Sequence, residues 1–413
     1  MRAAPIKILN VVGARPNFVK IAPLLAEMWK YSDVRPFLVH TGQHYDDEMS
    51  GCFLRDLGIP APDVVLNSGE AGPPLQKEQM TRALGELMLG ERPDVVLVVG
   101  DVNSTAAAAI AAARLDIPVA HVEAGLRSFD PGMPEEINRI VTDAVSSLLF
   151  ASEPSAVRNL IAEGQPGERI FLVGNVMIDT LRQFLAAAKR STILSRLGLL
   201  SEGGASKKYA LATLHRPATV DDPAVFRRIW EALKMIAAQV PVVFPAHPRV
   251  QARLRESGLH NGPEEGPPGD PGRLQIVRPL PYLDFLRIES EAALVITDSG
   301  GVQEETTVLG VPCLTVRNHT ERPITVSEGT NQIVGLQSST IWEAAGKILS
   351  DKFQRRRIPR LWDGHSAERI VRILRRHFCR RAQPHRGRLP YVRPSHPTPL
   401  LPSPPVSPSC RAN

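Results

Sequence analysis

Carboxylates, guanidinium groups and imidazoles recur in this chain directly after short apolar runs, at positions where a strand would end. DSGGVQEE follows LVIT, and its Gly300 and Gly301 would let an anion approach the free N–H groups and positive dipole of a helix start at Ser299. Glu304 and Glu305 lie one turn further in. A carboxylate there would repel a diphosphate unless it turned aside to accept from ribose hydroxyls, as acidic residues do in dinucleotide sites. The same segment also reads as a plain helix start stabilised by Asp298 and Ser299, with no ligand.

The first half repeats the arrangement. GARPNFVKIAPL has a single Gly13 where GxGxxG would stand, so the dinucleotide fingerprint is missing. Arg15 and Lys20 there supply two cations suited to a diphosphate entering from a facing domain. GDVNST brings Asp101, HVEAGLRS brings Glu123 beside Arg127, and MPEEINR brings Glu135, Glu136 and Arg139. Singly, each carboxylate reads as structural. Crowded at neighbouring strand ends they shift one another's pKa values and suit proton transfer. In the second half, LHRP places His215, PAHPR places His247 and NHTERPIT places Arg322, each after an apolar run.

The elements that must position these residues are parallel α/β layers, because strand-length apolar runs alternate with helical patterns through most of the chain. Candidate strands are IKILNVVG, RPFLVH, DVVLVVG, PVAHVE, LLFAS and RIFLVG, then YALATLH, PVVFPAH, LQIVRPL, ALVITDS and PCLTV. At 413 residues the chain exceeds one ordinary core, and both halves read as doubly wound sheets. The joint is expected between Val173 and Leu199, with ligands in the cleft beyond the carboxyl ends of the strands.

The formal charge of +6 is a property of the end of the chain. Residues 353–413 hold 14 Arg against two acidic residues, which leaves the remainder acidic and speaks against nucleic acid as a partner. Residues 381–413, with nine prolines, read as a disordered tail, and NGPEEGPPGDPGR as a surface loop. The four cysteines are scattered, so neither zinc nor a disulfide framework is expected. No apolar stretch reaches the length of a membrane helix and the start carries no signal-peptide pattern, so a cytoplasmic protein is expected.

Taken in order, GARPNFVKIAPL, TGQH, GDVNST, HVEAGLRS, MPEEINR, LHRP, PAHP, DSGGVQEE and TERPITVSEGTN resemble the non-hydrolysing UDP-N-acetylglucosamine 2-epimerase family from about Lys7 to Arg376. The resemblance implies a two-domain GT-B fold: an N-terminal domain of residues 1–176 completed by a helix at about 363–380, and a UDP-binding domain of residues 177–362. It implies interconversion of UDP-GlcNAc and UDP-ManNAc, usually by a homodimer, without cofactor or metal. Carried over by motif, Asp101, Glu123, Glu135 and His215 are implicated in catalysis. Arg15, Lys20, Arg139, His247, Ser299, Gly300, Gly301, Glu305 and Arg322 would bind the UDP-sugar, with Glu305 on the ribose. Gln43 and His44 would belong to an allosteric pocket found in some bacterial members, although Asp46 and Asp47 here add negative charge beside it. An epimerase for a modified UDP-sugar, such as a UDP-diacetamido uronic acid, and a GT-B glycosyltransferase are the nearest rivals.

Overall fold

The computed structural model describes residues 4–42, 52–66, 73–259, 274–350 and 357–379. Gln43, His44, the Pro/Gly-rich loop and the tail after residue 380 lie outside the described residues, as does the side chain of Arg15.

Two parallel sheets organise the chain. The first contains β1 (Ile6–Val12), β2 (Val34–His40), β3 (Val64–Val65), β4 (Val95–Val99), β5 (Val119–Val122), β6 (Leu148–Ala151) and β7 (Ile170–Leu172), in the order β3-β2-β1-β4-β5-β6-β7. The second contains β8 (Ala210–Thr213), β9 (Val242–Pro245), β10 (Leu274–Val277), β11 (Leu294–Thr297), β12 (Cys313–Thr315) and β13 (Asn331–Ile333), in the order β10-β9-β8-β11-β12-β13. Val95 to Val99 are all buried, the signature of a strand covered by helices on both faces. Two edge strands, β3 and β13, go beyond the sequence reading; at two and three residues they carry no periodic pattern.

Strand order reverses between β1 and β4 in one sheet and between β8 and β11 in the other. At such a switch point the flanking loops diverge and open a crevice past the carboxyl ends of the strands. The loops at these four ends begin with Gly13, Gly100, Leu214 and Asp298, so the charged segments follow from topology.

Helix Val176–Ala188 leaves the first sheet and contacts both halves: the Thr180 hydroxyl donates to the Val19 carbonyl at 2.6 Å, and Met177 reaches Gly301. The chain returns to the first half through helix Ser366–Cys379. Its Ala367, Ile370, Val371, Leu374 and Phe378 form one helical face and join the core beneath β1. Asp179 accepts the N–H groups of Ser366 (3.1 Å) and Ala367 (2.7 Å) at the helix start. Arg375 pairs with Asp33, and the buried Trp362 indole donates to the Ser152 carbonyl.

Candidate functional site

The turn after β4 is set by backbone. Gly100 has φ +69°, and a Cβ there would stand 2.8 Å from Lys20 Nζ, so glycine lets the lysine cross beneath the turn. Lys20, in the helix after β1, is buried and paired with Glu123. Glu123 follows β5 at φ +75°, a left-handed conformation that is costly for a residue with a Cβ. Its surroundings hold it there. His121, on β5, bonds Asp143 Oδ1 at 2.6 Å and the Gly100 carbonyl at 2.9 Å, while Asp143 accepts from Gly125 N–H and from Arg127.

From the second half, Arg322 reaches across the cleft. Its guanidinium meets Glu123, Glu304 and Glu321, the last at 2.7 Å, one carboxylate on each nitrogen. Glu321 gathers Arg216 (2.9 Å) and Arg317 (2.9 Å) as well, with Arg139 at 3.8 Å. Arg139 in turn bonds Asp101 and Glu136. Glu136 also accepts the Ser128 and Phe129 N–H groups, which shapes the loop before its helix. One ion-pair network thereby joins Lys20, Glu123, Arg322, Glu321, Arg139 and Asp101 across both sheets.

The network pushes its carboxyls in opposite directions. Burial would raise Asp101, but the charges of Arg139, Lys20 and Arg322 hold it at about 2, so it stays ionised. Glu321 is likewise buried, yet four arginines hold it well below the usual range. Burial raises Glu304 despite Arg322, and Glu123 beside it adds to the rise. Glu153, at the start of the helix after β6, is buried with Oε2 lacking a partner among the described residues, and burial drives it up to about 7. A cleft with two acids kept ionised and others pushed toward protonation can both accept and deliver protons.

His215, after β8, is oriented by Asp298. Its Nδ1 lies 2.8 Å from Asp298 Oδ1; the ring is half-exposed while Asp298 is wholly buried, so Nε2 is the end presented to the cleft. Asp298 also accepts the His215 and Arg216 N–H groups and the Thr219 hydroxyl. Beside it Ser299 stands at the N-cap position of helix Gly300–Leu309, its side chain making no capping bond. A Cβ on Gly300 would stand 2.3 Å from Arg322 Nη1, so glycine is what allows the guanidinium to lie on the helix start.

The expected site residues separate into groups. Lys20, Asp101, Glu123, Arg139 and Arg322 belong to the network, Gly300 packs on it, and His215 and Ser299 flank it. Glu135 is half-buried with no ion pair or hydrogen bond among the described residues. His247 Nδ1 accepts the Arg249 N–H and caps helix Pro248–Glu256. Gly301 rests against Met177. Glu305 faces Tyr282, whose hydroxyl donates to it at 3.0 Å, and it is Glu304 that meets Arg322. Sequence reasoning passed over Glu321, Arg216 and Glu153. The first two stand inside TERP and LHRP, where a charge beside the chosen residue was the available signal; Glu153 in ASEPS had none. Among the described residues no group of His, Cys, Asp and Glu is arranged to hold a metal, and no helix is long and apolar enough to cross a membrane.

Comparison with known proteins places this geometry. A UDP-N-acetylglucosamine 2-epimerase from Methanocaldococcus jannaschii is 38% identical over 375 residues, covering 89% of this chain and 98% of that protein. A UDP-2,3-diacetamido-2,3-dideoxy-D-glucuronate 2-epimerase from Pseudomonas aeruginosa is 41% identical over 355 residues, covering 84% and 95%. The crystal structure of the M. jannaschii enzyme in complex with UDP-GlcNAc and UDP superposes with a TM-score of 0.80 at 38% identity over 89% of this chain and 99% of that one. The Neisseria meningitidis UDP-GlcNAc 2-epimerase bound to UDP-GlcNAc also gives 0.80, at 28% identity over 90% and 100%. Two facing parallel α/β domains of the GT-B kind are thus shared along nearly the whole chain. The family signature itself runs over residues 26–375, from the end of the helix after β1 into the returning helix, and the chain belongs to the UDP-N-acetylglucosamine 2-epimerase family.

Proposed function

We propose that this chain interconverts UDP-GlcNAc and UDP-ManNAc by eliminating UDP to a 2-acetamidoglucal and adding it back. The observation that supports this reading is the network from Lys20 and Asp101 to Arg322 and Glu321, which brings carboxylates and cations from both sheets to one cleft. The C2 proton of the sugar is not acidic, since no carbonyl adjoins it. Departure of UDP makes C1 electron-poor, so a base takes the C2 proton as the C1–O bond breaks and its electrons leave with the diphosphate. Protonation of the glycal at C2 from the opposite face, with return of UDP to C1, completes inversion.

This requires a base and an acid on the two faces, and groups that retain both fragments. Asp101, Glu123, Glu135 and His215 supply the first. Arg15, Lys20, Arg139, His247, Arg322 and the helix start at Ser299, Gly300 and Gly301 supply the second, with Glu305 on the ribose. Because Arg322 already carries three carboxylates, the incoming diphosphate takes the place of at least one of them. Releasing Glu123 at that moment would free it for the sugar. We place the domain boundary at residues 176 and 177, and assign the protein to a cytoplasmic homodimer that supplies a cell-surface polysaccharide.

The test is proton NMR of the protein with UDP-GlcNAc in heavy water. UDP-ManNAc should grow in, with deuterium at C2 of both sugars. Free ManNAc with UDP, or an unchanged C2 proton, would refute reversible elimination. The 41% identity to the P. aeruginosa enzyme supports a second reading, in which the substrate is a UDP-2,3-diacetamido uronic acid. Parallel incubation with that sugar decides between them by the faster C2 exchange.

A further inference from the structure

Glu321 is a buried carboxylate whose side-chain partners among the described residues are all guanidinium groups. It precedes Arg322 in the loop between β12 and helix Pro323–Ser327, and its side chain is 0% exposed. Its Oε1 accepts from Arg322 Nη1 at 2.7 Å and from Arg216 Nη2 at 2.9 Å, with Arg139 Nη2 at 3.8 Å, and its Oε2 lies 2.9 Å from Arg317 Nη1. Arginine keeps its proton in proteins, so guanidinium groups gathered this closely repel one another unless a fixed anion stands between them. Arg317 meets no other carboxylate among the described residues, and Arg216 Nε donates to the Asp298 carbonyl at 2.9 Å. The carboxylate is also pressed against the glycine turn. A Cβ on Gly300 would stand 3.0 Å from Glu321 Oε1, just as it would stand 2.3 Å from Arg322 Nη1.

We propose that Glu321 is a positioning residue, the fixed counter-ion that gathers Arg216, Arg317 and Arg322 into one clamp at the Ser299–Gly300 turn before a nucleotide diphosphate arrives. This rests on the nucleotide-sugar reading above and deepens it, by saying which carboxylate stays when the diphosphate enters. Arg322 bears Glu304 on Nε, Glu321 on Nη1 and Glu123 on Nη2. Glu304 and Glu321 belong to the same half as the arginine, whereas Glu123 comes from the facing one. Two carboxylates of its own half thus fix the guanidinium plane, and Nη2 is the corner handed from Glu123 to a phosphate oxygen. Glu321 does not make that exchange, because its departure would strip Arg216 and Arg317 at the same time. Although burial opposes it, the surrounding arginines keep its carboxyl ionised. Enclosed as it is, Glu321 acts on the ligand only through them.

Titration with UDP, alongside C2-proton exchange of whichever of the two UDP-sugars the wild type processes, tests this in Glu321→Gln and Glu321→Asp. The Gln side chain keeps the size and removes the charge. The cluster then carries more net positive charge, so UDP should bind at least about threefold more tightly. Turnover should nevertheless fall at least about 10-fold, because the guanidinium groups no longer converge on the leaving diphosphate. A residue that only supported the fold would weaken UDP binding instead. Glu321→Asp keeps the charge on a shorter arm. Its UDP affinity should match the wild type while turnover falls at least about fivefold, and this variant decides the matter by turnover if the Gln variant does not fold. UDP binding no tighter than wild type in the Gln variant, or wild-type turnover in either variant, would overturn the role of Glu321. A wild type that binds no UDP, or exchanges the C2 proton of neither sugar, would instead overturn the nucleotide-sugar reading.

Discussion

Replacing Asp298 by Asn tests whether the second switch point is built around a buried anion. The carboxylate is 0% exposed and accepts from the His215 N–H at 3.0 Å, the Arg216 N–H at 2.9 Å, the Thr219 hydroxyl and His215 Nδ1 at 2.8 Å. An amide keeps one acceptor and turns an NH2 group toward donors. Hydrogen bonds to a charged group contribute about 1.5–3 kcal/mol each, so losing two and opposing donor to donor should cost about 3–5 kcal/mol. With a urea slope of about 2 kcal/mol/M, the unfolding midpoint should fall by about 2 M.

The pH dependence has a definite sign. Although burial alone would raise Asp298, His215 and the donors hold its folded value far below the ordinary one. Its contribution is then fully present above the unfolded value of about 3.9 and is lost as pH falls toward the folded value. The gap between wild type and variant should be constant from about pH 6 to about pH 8 and narrow only below about pH 4. Turnover should drop by about 10²-fold, because His215 loses the acceptor that fixes its Nδ1 proton. A variant with an unchanged urea midpoint, or with full turnover, would refute the reasoning.

Three further outcomes follow from contacts described above. Gly300→Ala drives a Cβ into the Arg322 guanidinium, which three carboxylates hold in place, so UDP affinity measured by titration should fall at least about 10-fold while the fold persists. Asp179→Ala leaves two N–H groups of helix Ser366–Cys379 without their acceptor; a loss of about 1–3 kcal/mol and faster proteolysis of that helix are expected, against none if the helix is held by its apolar face alone. Glu153 is pushed by burial to about 7, so the folded state keeps a proton that the unfolded chain releases above about 4.3, and stability falls as pH rises through that window. Glu153→Gln should remove this loss, gaining about 2 kcal/mol on wild type between about pH 5 and about pH 7.5, and parallel urea midpoints would refute it.

The fold was legible because apolar strands covered on both faces are continuous runs, as VVLVV shows, and because glycine and charge mark where each run stops. What escaped were strands too short for a pattern, such as Val64–Val65, whose place is set by the neighbouring β2. Residue type and position after a strand singled out Lys20, Asp101, Glu123 and Arg322, which the ion-pair network joins, and His215 beside it. Partnership was not legible: nothing local distinguishes Glu304, which meets Arg322, from Glu305, which faces Tyr282. That division arises from helical phase against two different helices and the facing half of the molecule. Glu321 draws Arg216 and Arg139 from far along the chain beside the local Arg317 and Arg322, and the burial that sets Glu153 has no local signature.

The returning helix has a consequence for how the protein is made. Asp179 waits for partners 187 residues further along the chain, and Trp362 must find the Ser152 carbonyl 210 residues back. During synthesis the first sheet emerges from the ribosome long before the helix that covers its underside. Until then the apolar surface that Ile370, Val371 and Leu374 will occupy stands open, and the nascent chain is exposed to chaperones or to self-association throughout translation of the second sheet. A gene fragment ending after β7 would encode a sheet permanently in that condition, whereas one supplying the helix as a separate peptide could complete it.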